Sequence, residues 1–194
     1  MAVEAGKANA INSRMLLASE QRIETARKLC EKAAWPELLK FTQDWHAENP
    51  RDARALFYRG AALTATGRFV EAETIYRLAL EKDPSDFKAW NNLAGILFDS
   101  LNKPVDAVRC MEEAMKLEPQ NKLGWSNLAS MVGRMGRHGK ALEFADRALA
   151  LDPQMVEALL HKAAAAKALG KTEIVREVSE TLTTIDTEKF QRVK

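Results

Sequence analysis

Apolar positions between residues 87 and 119 follow the period of two amphipathic helices. In the first segment they are Trp90, Leu93, Ala94 and Leu97. In the second they are Ala107, Met111 and Ala114. The turn DSLNKP separates the two segments, and Pro119 closes the second one. Small residues at Ala94, Ala107 and Ala114 allow the backbones to approach closely, so the pattern predicts a packed helix pair.

This helix pair recurs along the chain at a fixed period. Spacings of 34, 35 and 34 residues separate Pro50, Pro84, Pro119 and Pro153. A column of small residues has the same period: Ala26, Gly60, Ala94, Ala129 and Ala163. Two further alanine columns agree with it: Ala72, Ala107 and Ala141, and Ala79, Ala114 and Ala148. The one extra residue falls in a turn, where an insertion costs little, so the chain is predicted to be a repeat array.

These columns resemble the tetratricopeptide repeat family, which has a period of about 34 residues and a signature of Trp, Leu, Gly, Ala and Pro. The first clear unit carries Gly60, Leu63, Gly67, Ala72, Tyr76, Ala79 and Pro84. The next carries Trp90, Leu93, Ala94, Leu97, Ala107, Ala114 and Pro119. The third carries Trp125, Leu128, Ala129, Gly136, Ala141, Ala148 and Pro153. The resemblance implies an all-α fold, a right-handed superhelical solenoid of antiparallel helix pairs.

The period divides the chain into one tetratricopeptide-like domain, 19–188, between an N-terminal segment, 1–18, that is helical or frayed, and a C-terminal tail, 189–194. The predicted repeats are 19–52, 53–86, 87–121, 122–155 and 156–188. The first is degenerate, because Trp45 stands where a better copy has the small Ala79. The last decays at Thr187, where a proline is expected, and Phe190 is predicted to tuck back on it.

Composition and charge exclude several classes of protein. Hydrophobic residues make up 46% of the chain and charged residues 29%, which argues against disorder over the bulk of the chain. A net charge of +2, from 29 basic and 27 acidic residues, argues against a nucleic-acid or membrane surface along the whole chain. Cys30 and Cys110 are far apart and are read as structural thiols of a reducing compartment. Because the sequence has no signal peptide or membrane span, we expect a cytoplasmic protein.

No constellation of residues predicts catalysis, a cofactor or a metal. The glycine-rich stretch GRMGRHGK, residues 133–140, lacks the Walker spacing and is interpreted as a basic turn between helices. The three histidines, His46, His138 and His161, lie in three different repeats without a second ligand at metal-binding spacing. We therefore predict a protein that is not an enzyme and has no cofactor.

What remains is surface. In the resembled family, the first helix of each pair lines a concave groove and the second forms the back. The groove is predicted to comprise Arg54, Phe57, Tyr58, Lys88, Asn91, Asn92, Ser126, Asn127, Ser130, Glu157, Leu160 and His161. Asn92 and Asn127 occupy equivalent places, where an amide can pair with the main chain of a bound peptide. The alternative is that these asparagines form hydrogen bonds within or between repeats.

The predicted function is a non-catalytic protein–protein interaction module that binds a peptide segment of a partner in this groove, to scaffold or chaperone an assembly. The mixed groove suits an extended or helical segment with acidic and apolar residues. Two alternatives are a cytoplasmic chaperone for secretion-system substrates and the recognition arm of a larger enzyme, such as a protein glycosyltransferase. We expect no nucleic acid and no membrane insertion, and homo-oligomers through the apolar ends are a further alternative.

Overall fold

A computed structural model describes residues 18–192, with side chains up to residue 185. Within those residues the chain forms ten helices and no strand. The helices are α1 (18–31), α2 (Trp35–Glu48), α3 (Ala53–Ala65), α4 (Phe69–Lys82), α5 (Phe87–Asp99), α6 (Pro104–Leu117), α7 (Lys122–Arg134), α8 (His138–Leu151), α9 (Val156–Ala168) and α10 (Thr172–Arg192). They group into two compact units, an N-terminal unit ending at Pro84 and a C-terminal unit starting at Ser85.

Side-chain caps start the first helices of three pairs. Asp52, Asp86 and Asn121 stand at the N-caps of α3, α5 and α7, and each accepts a hydrogen bond from a backbone N–H of the first turn. Such a bond satisfies a donor that the helix itself leaves unpaired. Each cap comes two residues after the proline that closes the preceding repeat. Met155 occupies this place before α9 and makes no such bond.

The predicted turns are present. Gly67 and Gly136 both have φ of 75°, which carries the chain from a first helix into a second one. This left-handed conformation costs glycine little because it has no Cβ. The turn with the extra residue has no glycine, and Asn102 takes the left-handed conformation there with φ of 51°. Ala33 does the same between α1 and α2.

A cluster around Trp45 forms the core of the N-terminal unit. The Trp45 side chain is 1% exposed and packs with Ala26, Leu38, Ala55 and Ala62. Its indole Nε1 donates a hydrogen bond to Asp52 Oδ2 at 3.2 Å. In the degenerate first repeat, the buried indole ring of Trp45 thus takes the place of a small residue. Its hydrogen bond to Asp52 also links it to the N-cap of α3.

The C-terminal unit stacks three helix pairs, α5 with α6, α7 with α8, and α9 with α10. The predicted apolar faces are buried, with Leu93, Ala94 and Leu97 of α5 all at 0% exposure. On α10, Val178 and Ile185 pack with Leu159 of α9, and Ile174 and Leu182 lie against the same cluster. The core thus follows the apolar columns of the sequence.

The ends of the chain differ from the prediction or lie beyond the described residues. Helix α10 continues to Arg192, past the predicted repeat boundary at residue 188. Without a proline at position 187, the backbone N–H groups that a helix needs are all present. The Phe190 side chain and residues 1–17 of the predicted N-terminal segment lie outside the described residues, and the single domain 19–188 stays a prediction.

Candidate functional site

Two first helices of the C-terminal unit enclose a shallow pocket of about 180 Å³, called here the amide pocket. One side comes from α5 and the other from α7, and Met111 of α6 also lines it. The lining residues are Asn91, Gly95, Phe98 and Asp99 of α5, Met111, and Asn127, Ser130, Met131 and Arg134 of α7. These positions repeat every three or four residues because side chains at that spacing share a helix face.

Arg134 is held over one end of the amide pocket by two contacts. Its Nη1 donates to Asp99 Oδ1 at 2.7 Å. Its guanidinium carbon lies 4.4 Å above the centre of the Phe98 ring, a cation–π geometry. Two residues of α5 thus position one cation of α7, and the charge of Arg134 is already matched by a carboxylate.

The other polar side chains that line the amide pocket make fewer hydrogen bonds within the protein. Within the described residues, the Asn127 amide and the Ser130 hydroxyl make no side-chain hydrogen bond. Asn91 Nδ2 donates to Asn92 Oδ1 at 3.5 Å, at the long limit for such a bond. The alternative that the asparagines are satisfied internally therefore applies to the Asn91–Asn92 pair and not to Asn127.

A second pocket, of about 360 Å³, lies on the other side of α7 and is called here the histidine pocket. It shares Ser130 and Arg134 with the amide pocket. The remaining lining residues are Ala129 and Gly133 of α7, His138 and Ala141 of α8, and His161, Ala164 and Ala165 of α9. Small residues thus form much of the lining, and two imidazoles and a guanidinium supply its polar groups.

His161 is half-buried in this pocket. Burial lowers the pKa of His161 below its ordinary value, although the charge of Glu157 acts in the opposite direction. This shift favours the neutral ring, which offers one donor and one acceptor nitrogen. The described residues include no group of three His, Cys, Asp or Glu side chains placed to hold a metal ion.

Family models of the tetratricopeptide repeat match residues 53–96 and residues 92–156. Together they span more than half of the chain and cover the repeats in which the sequence columns are clearest. The chain belongs to the tetratricopeptide repeat family. Repeats of this family are generally non-catalytic modules that bind other proteins.

Relatives and solved structures agree with this assignment. A DnaJ homolog subfamily C member 7 homolog of Schizosaccharomyces pombe is 30% identical over an alignment of 160 residues, and the match covers 74% of this chain and 33% of that protein. This chain thus spans 33% of the length of that relative.

Solved tetratricopeptide structures match most of the chain. A double mutant of MamA RS-1 has a TM-score of 0.79 at 17% identity, covering 88% of this chain and 95% of that one. YrrB, described as a tetratricopeptide protein with an unusual peptide-binding site, has a TM-score of 0.71 at 17% identity, covering 82% of each chain. At this identity the match shows the fold, and it confirms the predicted all-α tetratricopeptide class.

Among the described residues, none of the helices combines the length and the apolar character that a membrane span requires.

Four predicted groove residues of the tetratricopeptide array come together at the two pockets: Asn91, Asn127, Ser130 and His161. Lys88, Glu157 and Leu160 are exposed on α5 and α9 but do not line either pocket. Asn92 is half-buried beside Asn91 and does not line them either. Ser126 is a correction, because its side chain is only 3% exposed and a partner cannot reach it.

In the N-terminal unit, the predicted groove residues are engaged within the fold. Arg54 donates from Nε and Nη2 to the two carboxylate oxygens of Asp52, at 2.7 and 2.8 Å, and also contacts Ser19. Tyr58 stacks on Trp45 with ring centroids 6.3 Å apart, and Phe57 packs edge-on against Tyr58. Arg54 therefore supports a helix cap, and its charge is already taken by Asp52.

The pocket residues that sequence reasoning missed include Phe98, Asp99, Arg134 and His138. Arg134 lies seven residues after Asn127, so the helical period could have placed both on one face. The proximity of His138 and His161 to one pocket had no local signal, because these histidines belong to different repeats. Tertiary packing alone brings them together.

Proposed function

We propose that the C-terminal unit binds an extended peptide segment of a partner protein along its first helices α5, α7 and α9. The observation that carries this proposal is the hydrogen bonding of two polar side chains on α7. There the Asn127 amide and the Ser130 hydroxyl line an open pocket and make no side-chain hydrogen bond within the described residues. An extended peptide has main-chain N–H and C=O groups that need such partners.

Two further features support a peptide as the ligand. Leu123 and Leu160 are 60% and 53% exposed on α7 and α9. Apolar side chains of a peptide can cover them while its main chain pairs with Asn127. YrrB, which shares the fold, has a peptide-binding site. The scaffolding or chaperone role, the two alternative roles and the cytoplasmic location remain predictions.

Removal of the Asn127 amide tests the proposal. Peptides are selected from a random display library on the intact chain, and one of them is labelled for fluorescence anisotropy. Asn127→Ala removes a donor and an acceptor, so we expect about tenfold weaker binding, which corresponds to about 1.4 kcal/mol. Gln43→Ala is the matched control, because it removes an exposed helical amide from the N-terminal unit.

The control variant should bind like the wild type, and both variants should keep the wild-type circular dichroism. Equal affinity of Asn127→Ala and wild type for every selected peptide would refute the proposal. So would the absence of any selected peptide with measurable affinity.

A further inference from the structure

Four exposed cations lie in or next to the turns that follow α7 and α9, and they are called here the cationic rim: Arg137, Lys140, Lys167 and Lys171. Arg137 is the N-cap of α8, directly before His138 of the pocket. Lys167 follows the pocket residue Ala164 by three positions on α9. Lys171 ends the turn after α9, and its backbone N–H donates to Ala166 O at 2.9 Å. Arg137 and Lys171 thus lie in the turns that follow α7 and α9, whereas Lys140 lies in the first turn of α8 and Lys167 in the last turn of α9.

The cations of the rim differ from most other cations of the unit because they have no carboxylate partner in the part of the chain that the structure describes. Most other cations there have a carboxylate partner within 4 Å: Arg109, Lys116, Lys122, Arg134, Arg147, Lys162 and Arg176. No member of the rim forms an ion pair within the described residues. The nearby acid Glu173 is engaged by Arg176 at 2.6 Å. Positive charge is thus left without an ion pair around these two turns, among the described side chains.

The histidine pocket also suits an acidic ligand. Its imidazoles, His138 and His161, can each donate a hydrogen bond to a carboxylate oxygen. Ala129, Ala141 and Ala164 leave room for the methylene groups of an acidic side chain. Arg134 contributes little extra charge because Asp99 already matches it. Complementary charge around a pocket favours one class of partner and speeds its association.

We propose that the histidine pocket and the cationic rim recognise acidic side chains of the partner segment, with one Asp or Glu in the pocket and others along the rim. The inference rests on the proposed function, since the same segment would cross Asn127. Arg54, a predicted groove residue of the N-terminal unit, is not part of this site because it is already paired with Asp52. Recognition is of side chains within a segment, so it needs no terminal carboxylate.

Two synthetic peptides test the inference on the intact chain. Both are about ten residues long, about 33 Å when extended, and both have acetylated and amidated ends. One alternates Glu with Leu, and the other has Gln in place of each Glu. Anisotropy measured between about 0.01 and 1 M salt, where the Debye length falls from about 30 to 3 Å, separates charge from other contacts.

We expect the acidic peptide to bind at least about tenfold more tightly at low salt, and the difference to vanish at high salt. Arg137→Gln/Lys171→Gln should lose most of this preference. Lys32→Gln/Lys40→Gln, which changes the net charge equally in the N-terminal unit, should keep it. Asn127→Ala should weaken both peptides alike.

Each contrary outcome is distinct. If both peptides bind equally and the rim variant has no effect, while Asn127→Ala weakens both, the acidic preference is wrong and the proposed function stands. If neither peptide binds but a library-selected peptide does, the acidic preference is wrong and the proposed function stands. If no library peptide binds either, both proposals are overturned. If single-stranded DNA competes as well as the acidic peptide and loses affinity in the rim variant, the ligand is a nucleic acid and the assignment to an acidic peptide is wrong.

Discussion

Gly60 on α3 lies against the ring of Tyr76 on α4, and replacing it by alanine tests how closely these two helices pack. A Cβ at Gly60 would lie 2.8 Å from Tyr76 Cε1 and 2.9 Å from Cδ1 and Cζ. Carbon atoms in good contact are about 3.5–4.0 Å apart. The new methyl group is therefore too close by about 0.7 Å to three atoms of one rigid ring.

The ring has little room to move away. Tyr76 is 0% exposed, and the Phe57 ring packs against it with centroids 6.2 Å apart. Overpacking of this kind typically costs about 1–3 kcal/mol. Alanine recovers about 1 kcal/mol of that cost, because it is the better helix former. We expect Gly60→Ala to lower the free energy of unfolding by about 1 kcal/mol.

Gly95→Ala is the matched control. Gly95 also lies in the interior of a first helix, but a Cβ there meets no atom within 4 Å. Only the helix preference applies, so this variant should be more stable by about 0.5–1 kcal/mol. Two glycines at similar places in their helices are thus predicted to respond with opposite signs.

Urea denaturation followed by circular dichroism and tryptophan fluorescence measures both changes. Tyr76→Leu provides a second background, in which the ring is absent and Gly60→Ala should cost little or nothing. Gly60→Ala that is as stable as the wild type would refute the packing argument. An equal cost in the presence and absence of the ring would also refute it.

Three further predictions concern other parts of the chain. Gly136→Ala should lower the free energy of unfolding by about 1 kcal/mol in urea denaturation, because φ of 75° strains any residue with a Cβ; no change would contradict this. Burial acts to raise the pKa of Asp52, but hydrogen bonds and charge from Arg54 outweigh it, so the folded pKa lies below the unfolded value of about 3.9. The stability that Asp52 contributes is therefore complete above about pH 4 and is lost as the pH falls through the folded pKa. Asp52→Asn should remove this part of the acid denaturation curve. An unchanged curve would count against the prediction. Burial, and then the charge of Glu31, raise the pKa of Cys30, so alkylation of this thiol should accelerate only at alkaline pH. Cys110 is buried and should react only when the chain unfolds. Peptide mass spectrometry after alkylation would detect both outcomes.

Much of the fold could be predicted from the sequence because the relevant signals are local. The proline period, the alanine columns and the turn glycines each act within one helix pair, and each repeat supplies an independent copy. Gly67 and Gly136 are left-handed where the pattern required it. Trp45 was correctly singled out as an exception, but its hydrogen bond to Asp52 depends on how α2 meets the start of α3.

The candidate site was only partly predictable, since the sequence places a residue on a first helix but does not show which neighbour it faces. Asn91 and Ser126 hold equivalent places in successive repeats, yet Asn91 lines the amide pocket and Ser126 is buried. Asn127 faces the pocket from the opposite helix.

The sequence by itself determined the repeat, the helix pairs and the class of protein, because periodic apolar residues can be buried in only a few ways. Only the tertiary structure decided which polar side chains remain available to bind a partner and which are already paired within the protein. Arg54 is held by Asp52 and Arg134 by Asp99, whereas Asn127 and the cationic rim keep their bonding capacity. The reason is geometric: hydrogen bonds and ion pairs act over about 3–4 Å, and the packing of neighbouring helices sets those distances.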